Sequence, residues 1–138
     1  MQENFEIKYL EQPVWEIIGG ELTNYNTEQA GDDHGKNLCF VMQTQDGEIV
    51  GGVIGATYWN WLYVNLMWIR KDLRGQGYGA KLLTLAEDEA RQRGAKHAYL
   101  DTFSFQAPDF YKKQGYEEFG RLDNFPGQYT RYFFSKDL

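Results

Sequence analysis

One stretch does most to limit what this chain can fold into. WLYVNLMWI (61–69) is apolar enough to be a central strand, and it runs through RKDLRGQGYG (70–79) into a helix-forming segment ending near Arg93. Three glycines, Gly75, Gly77 and Gly79, fall within six positions at the mouth of that helix. Glycine costs a helix about 1 kcal/mol relative to alanine. It also permits tight, left-handed bends and keeps side chains away from the backbone. A helix N-terminus carries unpaired N–H groups and partial positive charge, and together these bind anions. The spacing therefore predicts a strand, a glycine turn and a helix whose first N–H groups receive an anion, with Arg74 and Lys81 adding charge. Gly79, Leu82, Leu83, Ala86 and Ala90 recur at helical spacing and form the predicted buried face, and Gly94 follows as the stop.

The remaining elements are arranged around this unit. FEIKYL (5–10) alternates apolar and polar residues and reads as a short strand. Val14, Ile17, Ile18 and Leu22 share one face of a helix that Gly19 and Gly20 weaken, and 27–37 reads as a loop. Asp46-Gly47 between two apolar runs signals a hairpin. KHAYLDTF (96–103) is the next strand. APDFYKKQGY (107–116) is a short helix with Pro108 in its first turn and Gly115 at its end. Two strands near 116–121 and 129–135 complete a mixed α/β order with no repeat and no linker.

A net charge of −6 argues against nucleic acid as a partner and is compatible with a cationic amine. The one cysteine, Cys39, cannot form an intramolecular disulfide; it reads as a small buried hydrophobe in a reducing, cytoplasmic setting. No signal peptide and no membrane span is expected, since no apolar run approaches about 20 residues. The sequence offers no metal-ligating cluster.

Look-alikes compete for the glycine loop. The nucleotide pattern G-x-x-x-x-G-K-[ST] is absent. GQGYGA satisfies a dinucleotide pattern, with Asp101 downstream, and an NAD-type oxidoreductase would follow from it. However, RKDLR separates the glycines from their strand, and a hairpin rather than a parallel unit precedes them. A glycine turn without any ligand is the bland alternative.

The third reading is a resemblance. Arg74, Gly77 and Gly79 fit [QR]-x-x-G-x-[GA], which resembles motif A of the GNAT (GCN5-related) N-acetyltransferases. Ala107, Phe110, Tyr111, Gly115 and Tyr116 are similar to that family's later A-x-x-[FL]-Y-x-x-x-G-[FY]. Element order agrees from about residue 37 to the C-terminus. The resemblance implies an acyl-CoA N-acyltransferase fold over one domain, 1–138. That fold is mixed α/β (α+β), with a mostly antiparallel sheet of about six to seven strands and helices on both faces. A V-shaped splay separates two parallel strands, here 61–69 and 97–103.

The resemblance also implies roles. Acetyl-CoA would be the cosubstrate, and an amine of a small molecule or peptide would attack it directly. Backbone groups of Met67, Trp68 and Ile69 would meet the pantetheine arm, one N–H polarising the thioester carbonyl. Arg74, Gly75, Gln76, Gly77, Tyr78, Gly79 and Ala80 would hold the pyrophosphate. Tyr111 would protonate the leaving thiolate. Many members carry asparagine seven residues before that tyrosine, touching CoA; this chain has Ser104 there, which can still donate one hydrogen bond to the cofactor. A glutamate that serves some members as base is replaced by Tyr63. Asp101 is the nearest acidic candidate, and a structural carboxylate is an equal reading of it. Glu21, Glu28 and His34 are weaker candidates, and a water chain is another route. Trp59, Trp61, Tyr63, Trp68, Phe103, Phe105 and Gln106 are candidates for an aromatic acceptor site, with core packing as the default. A short N-terminal region hints at a homodimer. The reading from a different class is an acyl-CoA-binding module that does not catalyse.

Overall fold

The structure is a computed structural model describing residues 2–138. The chain divides into two compact units, one ending at Asp33 and one spanning His34–Leu138.

In the first unit, residues 2–10 form no strand, which corrects the expectation for FEIKYL. Alternation makes a strand possible, but a strand needs a hydrogen-bonding neighbour, and these residues have none among the described ladders. Helix α1 spans Trp15–Ala30 and includes both Gly19 and Gly20. It runs into the segment expected to be a loop and stops at Gly31, whose left-handed φ of 83° lets its N–H reach the Thr27 carbonyl at 2.9 Å.

The second unit is a six-stranded sheet with two helices. Its strands are β1 (Lys36–Gln43), β2 (Ile49–Tyr58), β3 (Trp61–Ile69), β4 (His97–Phe103), β5 (Glu117–Leu122) and β6 (Arg131–Asp137). Helix α2 (Tyr78–Gln92) joins β3 to β4, and α3 (Pro108–Lys113) joins β4 to β5. The spatial order is β1-β2-β3-β4-β6-β5. All neighbours are antiparallel except β3 and β4. The fold class is the one the sequence implied. Asp46-Gly47 turns β1 into β2, with Gly47 at φ 87°. A second tight turn at Trp59-Asn60, both at positive φ, joins β2 to β3.

Alternation sorts the two faces. Ala98, Leu100 and Thr102 of β4 are buried, and Tyr99, Asp101 and Phe103 look the other way. The buried face packs against Leu82, Leu83, Ala86 and Ala90 of α2, the stripe expected from its spacing. Tyr111 of α3 and Phe134 of β6 complete the same core. Cys39 corrects an expectation: it is exposed, because β1 turns Leu38 inward and its neighbour therefore outward.

The parallel pair is short. β3 and β4 are in register only at Trp61–His97, Leu62–Ala98 and Tyr63–Tyr99, and then separate. A bulge lies where they part: Gly55 faces Val64 and Ile54 faces Leu66, which leaves Asn65 as the extra residue on β3. The extra residue flips the strand's phase. Leu62 and Val64 point to the core before it, and Met67 and Ile69 after it. A Cβ at Gly55 would collide with the Tyr63 carbonyl oxygen. Gly55→Ala should therefore destabilise the fold by about 1–3 kcal/mol, read by urea denaturation, through overpacking against backbone that cannot give way.

Candidate active site

The splay opens a cleft of about 490 Å³ between the far halves of β3 and β4. Its walls come from both faces of the sheet, since Asp101 and Thr102, adjacent on β4, both line it. The α2 N-terminus lines it together with Phe105, Gln106, Ala107, Phe110 and Tyr111, and the two helices approach each other where Gly79 faces the Phe110 ring.

The edge of β3 facing the cleft is free of β4. The Arg70 N–H donates to the Val50 carbonyl at 2.8 Å. Strand alternation then turns Trp68 backbone groups toward β2, and those of Met67 and Ile69 toward the cleft. Of the three expected backbone contacts, Met67 and Ile69 are thus the pair that can meet a ligand, and Trp68 contributes a half-exposed side chain. The Ile69 carbonyl already accepts Arg74 Nε at 2.8 Å, which fixes Arg74 at the mouth of the cleft.

The glycine loop delivers α2 to this opening. Gly75 and Gly77 adopt φ of 77° and 89°, so backbone conformation alone requires glycine there. Gly79 lies outside that region of φ, and a Cβ there would make van der Waals contact with the Phe110 ring at 3.4 Å. No side chain caps α2, and its first turn carries no acidic residue. Its first N–H groups are therefore available to an anion. Gly75, Gly77, Tyr78 and Gly79 line the cleft; Gln76 and Ala80 do not. Gln76 Nε2 instead donates to the Asp72 carbonyl at 3.3 Å and braces the loop.

Tyr111 lines the cleft from α3 and is only 8% exposed. It packs edge-on to Phe110 and Tyr116 and at a tilt to Phe134. Its hydroxyl has no hydrogen-bond partner among the described residues. Burial, and secondarily the charge of Asp101, push its pKa up to about 12. The side chain is therefore held as a neutral phenol, a proton donor without an internal acceptor.

Asp101 is committed to a partner. Its Oδ1 accepts Nε and Nη2 of Arg131, each at 2.9 Å. It lines the cleft, but as half of an ion pair. Ser104 lies outside the cleft lining; its Oγ accepts the Thr130 N–H at 3.1 Å. The expected aromatic set divides. Trp61 and Tyr63 group with Tyr99, the Tyr63 and Tyr99 rings stacked at 4.8 Å and the Tyr99 hydroxyl bonded to that of Tyr58. Trp59 sits at the hairpin tip, at the opposite end of β3 from the cleft. Phe103 and Phe105 form a separate stack.

Sequence reasoning missed a clasp at the start of α3. Gln106 Oε1 accepts the Phe103 N–H at 2.9 Å and the Thr102 hydroxyl at 3.2 Å. The clasp sets the angle at which α3 leaves β4. The only sequence signal for it is that Thr102 falls on the inward phase of β4. No metal-holding group of His, Cys, Asp or Glu occurs among the described residues.

A splayed parallel pair, with an uncapped glycine-led helix at the split and a tyrosine on the following helix, defines an acyltransferase of the GNAT type. The model of the acetyltransferase (GNAT) family matches residues 2–116. The chain is 38% identical over 105 residues to acetyltransferase Atu2258 of Agrobacterium fabrum, covering 76% of this chain and 77% of that protein. It is 37% identical over 93 residues to blasticidin-S acetyltransferase of Streptomyces morookaense, covering 67% and 68%. A crystal structure of an acetyltransferase from Bacillus cereus superposes with a TM-score of 0.86 at 34% identity, over 95% of this chain and 98% of that one. The chain belongs to the GNAT acetyltransferase family and is an N-acetyltransferase.

The Tyr111 shift carries a pH signature. A tyrosine titrating near 10 when unfolded and about 12 when folded stabilises the fold fully below pH 10, and the gain is lost as pH rises to 12. Denaturation curves should show wild type losing about 2–3 kcal/mol relative to Tyr111→Phe across that window.

Proposed function

We propose that this protein transfers an acetyl group from acetyl-CoA to a primary amine of a small molecule, by direct attack in a ternary complex. The observation that carries the reading is the uncapped α2 N-terminus meeting the free edge of β3 at one end of a cleft, with the Tyr111 hydroxyl in its wall. The fit to acetyl-CoA is good on three counts. The first-turn N–H groups of α2, with Arg74 beside them, suit a pyrophosphate. The Met67 and Ile69 backbone suits the amide groups of an extended arm, as an added strand would. The cleft of about 490 Å³ between the split strands suits a ligand arm lying between them. Acetyl-CoA supplies the activated acetyl group; the chain's own residues hold and polarise it.

The N–H of Met67 or Ile69 is the donor that polarises the thioester carbonyl. A fixed backbone donor there acts as in an oxyanion hole. Tyr111 donates its proton to the sulfur as negative charge develops there, and its burial keeps the phenol neutral until that moment. The attacking amine must reach the cleft without its proton, since an alkylammonium of pKa about 10 has no lone pair. Asp101, with Oδ2 outside its Arg131 bonds, is the carboxylate in the cleft lining that could receive that proton or orient the ammonium; we favour orientation, because Arg131 already holds its Oδ1.

The small-molecule arm is preferred over a peptide because a relative 37% identical to this chain is named for acetylating an antibiotic, blasticidin S. We assign all of 1–138 to one acetyltransferase domain, supported by a family match over 2–116 that reaches into both compact units. No helix among the described residues is long and apolar enough to cross a membrane. A single, exposed, unpaired cysteine supports a cytoplasmic setting.

The test is amine-dependent release of CoA thiol from acetyl-CoA. Tyr111→Phe should lower kcat by about 10²-fold, the lower end for loss of a general acid, with KM for acetyl-CoA within about twofold. Unchanged kcat removes Tyr111 from the chemistry; no thiol release across an amine panel removes the enzyme reading.

A further inference from the structure

Resting on the acetyltransferase reading, we propose that the acceptor amine carries an aromatic or heteroaromatic ring, which docks on a rim of four side chains beside the cleft: Phe103, Phe105, Phe125 and Tyr129. Phe103 ends β4, Phe105 lies in the connection to α3, and the other two come from the β5–β6 connection. Their rings meet in one cluster. Phe103 and Phe105 stack at 5.2 Å with 9° between planes, Phe125 tilts onto Phe103 at 5.6 Å, and Tyr129 stands edge-on to Phe105 at 5.0 Å.

This cluster is not core. Phe105 is 54% exposed, and Phe125 and Tyr129 are each 40% exposed. None of the four belongs to the buried core or packs against it. A contiguous exposed apolar patch beside a cleft marks a place where a ligand docks. Phe105 itself lines the cleft, so the rim is continuous with the place where the amine must arrive.

The rim is built to stay in place. The Ser104 N–H donates to the Thr130 carbonyl at 2.8 Å and the Thr130 N–H returns to Ser104 Oγ at 3.1 Å, lacing the two connections together. The Phe125 N–H donates to the Tyr129 carbonyl, and the Tyr129 N–H to the Pro126 carbonyl, both at 2.9 Å. A surface ordered before binding loses little entropy when it is filled. The Arg131 guanidinium lies 5.5 Å from the Phe103 ring and 5.2 Å from the Phe125 ring, and Asp101 balances its charge. A ring occupant gains edge and face contacts that an aliphatic group of the same size cannot make.

The experiment titrates 2-phenylethylamine and 2-cyclohexylethylamine calorimetrically onto the full chain saturated with CoA. The two probes differ only in ring saturation. Phenyl should bind about three- to tenfold tighter, and Phe105→Ala or Tyr129→Ala should bring the ratio close to one. Phenyl binding that is no tighter, or not measurable, overturns the proposal; so does a ratio that survives both variants. A change of oligomeric state in Phe105→Ala with the ratio intact overturns it in favour of a contact between copies of this chain. Acetyl transfer to the same amines is read separately. Ring preference with no transfer to any amine of the panel sinks the acetyltransferase reading alone, and transfer without ring preference sinks this one alone.

Discussion

The loss of pairing between β3 and β4 beyond Tyr63 and Tyr99 is the constraint on which the rest of the site depends. Two parallel strands that start in register must be forced apart, because each abandoned hydrogen bond leaves a backbone group without a partner. Here the extra residue at Asn65 bends β3, and Gly55 leaves room for the bend. The consequence is an opening through a sheet that is otherwise closed. Backbone donors of β3 reach that opening, and residues of α2 and α3 line it.

The relative placement of those two helices follows from a shared core. Leu82, Leu83, Ala86 and Ala90 seat α2 on the sheet against β1, β2 and β3, and Tyr111 sits in the same core with Phe134. A buried polar cluster adds direction to this contact. Glu87 of α2, 4% exposed, accepts the Tyr116 hydroxyl at 2.8 Å and Lys136 Nζ at 3.1 Å through both carboxylate oxygens. Burying an ion is costly unless its lone pairs are used, and here they are. The cluster ties α2 to the residue just after α3 and to β6. The anion seat and the Tyr111 hydroxyl therefore belong to one rigid body of side chains, although they lie more than thirty residues apart in sequence.

What the sequence made legible was local. Glycines at 75 and 77 marked the helix mouth because a left-handed bend favours no other residue. The α2 stripe, the Asp46-Gly47 hairpin and the Pro108 start of α3 followed from short-range rules. What the sequence left unread depended mostly on partners distant along the chain. FEIKYL alternates like a strand but finds no neighbour. Asp101 meets Arg131 thirty positions away, and Ser104 meets Thr130 twenty-six away. No spacing rule announces either. Cys39 was different, since the period of two that buries Leu38 already turns Cys39 outward; its apolar surroundings obscured that phase.

The central claim is that the α2 N-terminus and the β3 edge together form a seat for acetyl-CoA. Calorimetric titration with acetyl-CoA, with NAD and ATP as comparison ligands, tests it most directly. The account predicts micromolar binding of acetyl-CoA and none of comparable strength for the other two, a free energy of about −8 kcal/mol. Absence of acetyl-CoA binding, or equal binding of NAD, would contradict it and leave the glycine loop as a turn without that ligand.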